Sequence, residues 1–227
     1  MPSTIAREWL GGALVLLTTA ACAGAAGDGA ALSPKSVAEA SLPAAERQLL
    51  EAGDVMTRPL DFERGGAHYV GGIATGVVPA PPERVLAAID DTEALGAMLP
   101  HTKHISLVDA HGPTRRIELL QGSSVVEAKY TVELAPAGLP GEVRFHLDRS
   151  RHHDIDDVYG YFRVERFDDH RSLVTVAAAV DVGSGLTLFL FGKKVQDVIL
   201  STPHAMQDYF ARADVSGAPR LVAENER

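Results

Sequence analysis

Cysteine is almost missing from this chain: Cys22 is the one thiol in 227 residues. One thiol closes no intrachain disulfide, and its place near the N-terminus leaves the remaining chain without a cysteine nucleophile. A strong basic cluster is also absent. With 30 acidic residues against 21 Lys and Arg, the formal net charge of −9 argues against a nucleic-acid groove. Ser-centred nucleophile elbows, phosphate-cradling loops and dinucleotide fingerprints do not occur either, which removes the commonest sequence-legible enzyme classes. What is present is ordinary for a globular protein. Apolar residues make up 46%, which excludes wholesale disorder, and the length suits one domain with accessories.

The N-terminus has its own logic. Arg7 precedes a short apolar run over residues 10–21 that ends in small residues. The run is too short to span a bilayer comfortably and has the layout of a secretory signal. At its end, Leu17-Thr18-Thr19-Ala20-Ala21-Cys22 resembles a bacterial lipobox, in which the thiol is lipidated and becomes the first mature residue. Thr19 departs from that pattern, where lipoproteins usually carry Leu or a similar aliphatic. Cleavage after Ala23, with Ala21 and Ala23 as the small flanking pair, is the alternative. The expectation is an exported protein: a lipoprotein at the periplasmic face of a bacterial membrane, anchored through Cys22, or a soluble periplasmic or secreted one.

Four segments follow from this reading: a signal peptide over 1–22, a flexible tether and short helix over 23–65, a compact domain over 66–213, and a tail over 214–227. Residues 23–32 are Ala and Gly with one Asp, a flexible composition. Pro43 opens a short helix that Gly53 stops. In the domain, residues 69–78 form a strand whose Gly71, Gly72 and Gly76 imply bends or close approaches. Pro82 opens a helix, Asp91-Thr92 breaks it, and Pro100 stops a second. Strand follows strand from there, at 105–110, 115–121, 126–134, 143–147, 158–167 and 173–182. The clearest period-two pattern sets Val126, Ala128, Tyr130, Val132 and Leu134 against Glu127, Lys129, Thr131 and Glu133. Short connections imply antiparallel neighbours.

The chain ends in a long amphipathic helix over residues 188–212. At 100° per residue, Leu188, Phe191, Val195, Val198, Ile199, Thr202, Met206, Tyr209 and Phe210 share one arc, while Gln196 and Gln207 fall outside it. Pro203 predicts a bend. The predicted fold is therefore α+β: a seven-stranded curved antiparallel sheet with one polar face, wrapped around this helix, with two short helices between strands 1 and 2. Small inward residues, Ala128, Gly160 and Ala178, predict a cavity rather than a filled core.

This pattern resembles the START-like, helix-grip (SRPBCC) superfamily, in particular its polyketide cyclase/dehydrase and coenzyme-Q-binding branch. The carrying residues are Val78-Pro79-Ala80-Pro81-Pro82-Glu83-Arg84-Val85, Ile89-Asp90-Asp91, Leu99-Pro100, Gly160-Tyr161-Phe162-Arg163-Val164-Glu165 and Val180-Asp181-Val182-Gly183. In the last, Val182 replaces a frequent proline. The resemblance implies that a hydrophobic small molecule is bound or carried, and it spans residues 66–212.

The chemistry within the domain is sparse. His152-His153-Asp154 with Asp156 and Asp157 has ligand types that suit zinc, yet a solvated loop is the preferred reading, so no metal is expected. His101 and His104 do not share a helical face. The polar handles expected in the cavity are Tyr130, Thr202, Tyr209 and Gln121, which orient a ligand better than they transfer protons; the tyrosines read equally as core residues with satisfied hydroxyls. The candidate ligand-binding residues are Ala128, Tyr130, Phe162, Ala178, Val195, Val198, Thr202, Met206 and Tyr209. The apolar run over 186–191 is expected as a portal or as a tuck into the end of the sheet. Three functions stand open: binding or transfer of a lipid, quinone or polyketide-like molecule; a cyclase or dehydratase using Tyr or His as acid/base; and a sealed lipoprotein domain for protein contacts. No cofactor, catalytic residue or nucleic-acid partner is called for. The expected partners are an apolar ligand and, through the anchor, a membrane.

Overall fold

The computed structural model describes residues 42–123, 126–183 and 186–215, with side chains of the last helix described over 192–212. The signal and lipobox residues with Cys22, most of the tether and nearly all of the tail lie outside the described residues, as do the side chains of 186–191. Helix α1 (Ala44–Glu51) starts behind Pro43, as its sequence predicts. Then come β1 (Met56–Arg64) and β2 (Ala67–Val78), the short helices α2 (Pro82–Asp90) and α3 (Thr92–Met98), and β3 (Thr102–His111) and β4 (Thr114–Gly122). The chain continues through β5 (Glu127–Pro136), β6 (Glu142–Leu147), β7 (Asp157–Arg166) and β8 (Ser172–Asp181) to helix α4 (Leu186–Val215).

The strands form one antiparallel sheet in the order β1-β2-β8-β7-β6-β5-β4-β3. It has eight strands, not the seven expected. The additional one is β1, inside the segment assigned to tether and short helix. Its signal is legible in retrospect: Met56, Arg58, Leu60 and Phe62 alternate with Thr57, Pro59 and Asp61, and Gly65-Gly66 supplies a two-residue hairpin turn with φ of +60° and +84°. Pro59, which argues against a central strand, is tolerated because β1 is the sheet edge. The helix count differs as well, since α1 adds to the two short helices and the long one. The two short helices stand between β2 and β3. Asp91 caps α3 by accepting from the Ala94 N–H at 2.8 Å.

The expected single polar face is also corrected. All ten residues of β8 are buried, so that strand is covered on both sides. On the outer side Ala177 and Ala179 lie beneath Tyr69, Tyr161, Tyr159, Phe62 and Leu60. Phe62 stacks on Tyr69 at 5.4 Å between centroids. The Tyr69 hydroxyl donates to Asp157 Oδ2 at 2.7 Å. Burial, then that carboxylate, pushes its pKa up to about 12. Further along this face, the buried Glu142 carboxylate accepts from Arg163 Nε at 3.1 Å and from Arg144 Nε at 2.8 Å. That pairing makes the buried charge tolerable.

Helix α4 is seated on β2, with lesser contact to β8, β1 and α3. The glycines of β2 explain the fit. A Cβ on Gly72 would lie 2.4 Å from Leu200 Cδ2 and 2.8 Å from the Arg58 carbonyl; one on Gly76 would lie 3.1 Å from Pro203 Cβ. The close approaches predicted at Gly72 and Gly76 are therefore those of this helix, whereas a Cβ on Gly71 would meet the Ala178 carbonyl of β8 at 2.0 Å; Pro203 lies buried within the helix. Two side chains from the polar part of the wheel fasten the seat. Gln196 Nε2 donates to the Leu60 and Gly71 carbonyls, both at 3.1 Å, and Gln207 Nε2 donates to the Val77 carbonyl at 3.0 Å and the Gly53 carbonyl at 3.3 Å.

Candidate functional site

Away from β2 the curved sheet leaves the helix. Between α4 and strands β4 to β8 lies a cavity of about 640 Å³. Alternation along each strand aims one face into it: Ile117 and Leu119 from β4, Ala128, Tyr130, Val132 and Leu134 from β5, Phe145 from β6, Val158 and Phe162 from β7, and Val176, Ala178 and Val180 from β8. Helix α4 supplies Val195, Val198, Ile199 and Thr202, and Leu95 of α3 closes one end. The Phe145 and Phe162 rings meet at 5.5 Å.

Seven of the nine candidate residues share this wall: Ala128, Tyr130, Phe162, Ala178, Val195, Val198 and Thr202. Met206 and Tyr209 lie off it. They are one and two turns further along α4, in the packed part of the apolar core, and Tyr209 packs edge-on against Phe210 at 5.1 Å. The arc that predicted the helix's apolar stripe is continuous, but the surface it meets changes from cavity to packed core. Sequence reasoning missed Ile117 and Leu119 as wall residues. Their signal is the alternation Arg116-Ile117-Glu118-Leu119, short enough to be passed over beside the longer pattern in β5.

Polar groups on the wall are few and tied to the protein. The Tyr130 hydroxyl donates to Gln121 Oε1. Gln121 Nε2 donates to Thr102 Oγ1 at 3.0 Å and toward the Pro100 carbonyl at 3.4 Å. Burial pushes the Tyr130 pKa far above its ordinary value, so the phenol holds its proton throughout the neutral range. Thr202 Oγ1 donates to the Val198 carbonyl at 3.3 Å, within its own helix.

Charge is confined to the rim, where Glu127, Lys194 and Asp197 stand with the His101 ring. Glu127 pairs with Lys103, and Asp197 with Lys193 at 3.0 Å. His101 takes φ of +57°, and its carbonyl accepts from the Gly122 N–H at 3.0 Å, which ties the turn after α3 to the end of β4. The other histidines singled out in the sequence are elsewhere. His152 Nε2 lies 3.1 Å from Asp154 Oδ1, and His153 Nδ1 lies 2.7 Å from the Ile155 carbonyl, in the loop before β7. Among the described residues no group of three His, Cys, Asp or Glu side chains is placed to hold a metal ion.

No protein-family profile matches this sequence, and no curated protein matches it. Solved structures do. A STAR-related lipid transfer protein from Xanthomonas axonopodis superposes with a TM-score of 0.54 at 12% identity, covering 68% of this chain and 98% of its own. The Zhui aromatase/cyclase from a Streptomyces species gives 0.53 at 13% identity over 72% and 100%. A START superfamily protein from Mycobacterium smegmatis gives 0.53 at 14% identity over 62% and 96%. At such identities the likeness is one of architecture. The chain has the helix-grip fold of these START-like proteins, with a curved antiparallel sheet closed by its C-terminal helix.

Proposed function

We propose that this domain binds, and passes on, a hydrophobic small molecule held between α4 and the sheet. The observation that carries the reading is the cavity itself. Its volume falls inside the roughly 300–1,000 Å³ of small-molecule sites, and apolar side chains dominate its wall. A sealed domain serving protein contacts alone would have no use for such a space. The names of the Xanthomonas and Streptomyces neighbours point to lipid transfer and to aromatase/cyclase chemistry respectively. Of the two, carriage suits this wall better. Acid–base catalysis needs a group free to exchange protons inside the cavity, whereas the Tyr130 phenol is engaged with Gln121 and His101 stands at the rim. The ligand class, on this reading, is a lipid, quinone or polyketide-like skeleton.

The purified protein should carry a co-purifying apolar compound, released by solvent extraction and visible as a mass adduct in native mass spectrometry. It should also enhance the fluorescence of N-phenyl-1-naphthylamine. A protein free of adducts that leaves the dye dark would refute the proposal.

The second part of the proposal concerns place. The lipobox-like segment ending at Cys22 would tether the domain to the periplasmic face of a bacterial membrane, with residues 23–41 as spacer. Such an anchor would keep the cavity close to a lipid source. Cys22→Ser should shift the exported protein from the membrane to the soluble fraction; unchanged fractionation would leave ordinary signal cleavage as the explanation.

A further inference from the structure

The hydroxyls of Tyr130, Thr202 and Ser201 on the cavity wall share one property: their hydrogens are already committed to the protein. The Pro100 carbonyl can only accept, so the Gln121 amide must turn its nitrogen toward Pro100 and Thr102. That leaves Oε1 facing Tyr130, and the phenol hydrogen goes to it. On the opposite wall, Thr202 and Ser201 both donate to the Val198 carbonyl, at 3.3 and 2.9 Å. Each of these oxygens keeps lone pairs and has no hydrogen to spare. The Lys194 ammonium and the His101 ring stand at the rim.

We infer that the cavity selects a neutral ligand that brings its own hydrogen-bond donor, an alcohol or phenol on an apolar skeleton, with Tyr130 Oη as the acceptor that receives it. The inference rests on the cavity being a ligand site. An ether, ester or ketone oxygen placed at Tyr130 would set lone pairs against lone pairs, leaving both groups desolvated without a partner. A carboxylate would meet the same oxygens. A hydroxyl completes the chain that runs from ligand to Tyr130, Gln121 and Thr102, and each link strengthens the next. Around that point the wall is apolar, which fits a ligand with one polar atom rather than several.

The test displaces N-phenyl-1-naphthylamine from the purified protein with 1-dodecanol, 1-methoxydodecane and dodecanoate, in the wild type and in Tyr130→Phe. The alcohol should bind about 5–10-fold more tightly than the ether, the worth of one neutral hydrogen bond. In Tyr130→Phe that ratio should fall to about twofold or less, because the alcohol loses its acceptor and the ether no longer meets the phenol's lone pairs. Melting curves report whether the variant is folded, and the wild-type ratio tests the donor requirement without it. Ether or dodecanoate binding as tightly as the alcohol in the wild type would overturn the inference. So would an alcohol preference that survives in a folded Tyr130→Phe. A wild type that fails to bind the dye at all removes the cavity reading itself, a different failure from a cavity that binds all three compounds alike.

Discussion

Helix α4 meets the two ends of the sheet in opposite ways. At the β1-β2 end it closes onto backbone: Gly72 and Gly76 leave no room for a side chain, and Gln196 and Gln207 clamp four carbonyls. At the β4–β6 end the same helix stands off across the cavity, which Ile117, Leu119, Tyr130 and Phe145 line there. The difference shows how a small domain can keep a cavity of this size. Empty apolar volume is destabilising where a core could otherwise collapse into it. Here collapse is prevented, because the helix is pinned along one strand and the curvature of an eight-stranded sheet carries the others away. The tight end pays for the open one.

Substitutions at the tight end should therefore act on stability. The largest effect is expected for Gly72→Val. Its Cβ would meet Leu200 on one side and the Arg58 carbonyl on the other, so either the helix lifts or β1 parts from β2. Overpacking of this kind costs roughly 1–3 kcal/mol, or about 2–12 °C in melting temperature for a domain of this size. An unchanged melting curve would show that the seat is slack. A smaller effect is expected for Gln196→Ala, which removes two hydrogen bonds to strand carbonyls at 3.1 Å. A loss of about 1 kcal/mol in chemical denaturation is expected. If dye affinity fell in this variant while stability held, the clamp would have to act on the cavity rather than on the seat.

The sequence made the closed end partly legible and the open end more so. The β2 glycines announced a close approach but not its partner, because a missing side chain says only that something comes near. Gln196 and Gln207 looked like solvent-facing residues, since a helical wheel cannot show that a sheet edge lies within reach. The edge strand β1 went unseen behind Pro59, although Gly65-Gly66 marked its hairpin. The cavity was readable from Ala128 and Ala178, small residues that line it from different strands, but not from Gly160, where a Cβ would lie 2.5 Å from Phe145 Cζ. Its end along the helix was not. Met206 and Tyr209 continue the apolar stripe without a break, and only the placement of α2 and α3 turns their surroundings into core. Periodicity tells which face is apolar, not whether that face meets side chains or space.

Ala178→Phe carries the comparison to the cavity wall, where the smallest change in stability is expected, although Ala178 pairs across the strands with Gly72 itself. Ala178 lies on the central strand β8, and its methyl group faces the cavity beside Phe162 and Val176. In a packed core a phenyl group there would cost about as much as the Gly72 substitution. Facing a cavity of about 640 Å³, it has free volume to enter and buries apolar surface as it does so. The melting temperature should therefore stay within about 2 °C of wild type, while dye binding falls at least about tenfold because the ring takes the ligand's place. Run beside Gly72→Val, the same kind of insertion should lower stability under the helix seat and affinity at the cavity wall beside it. A steep loss of stability in Ala178→Phe would mean that the cavity is packed in solution, and the contrast between the helix seat and the cavity would fail with it.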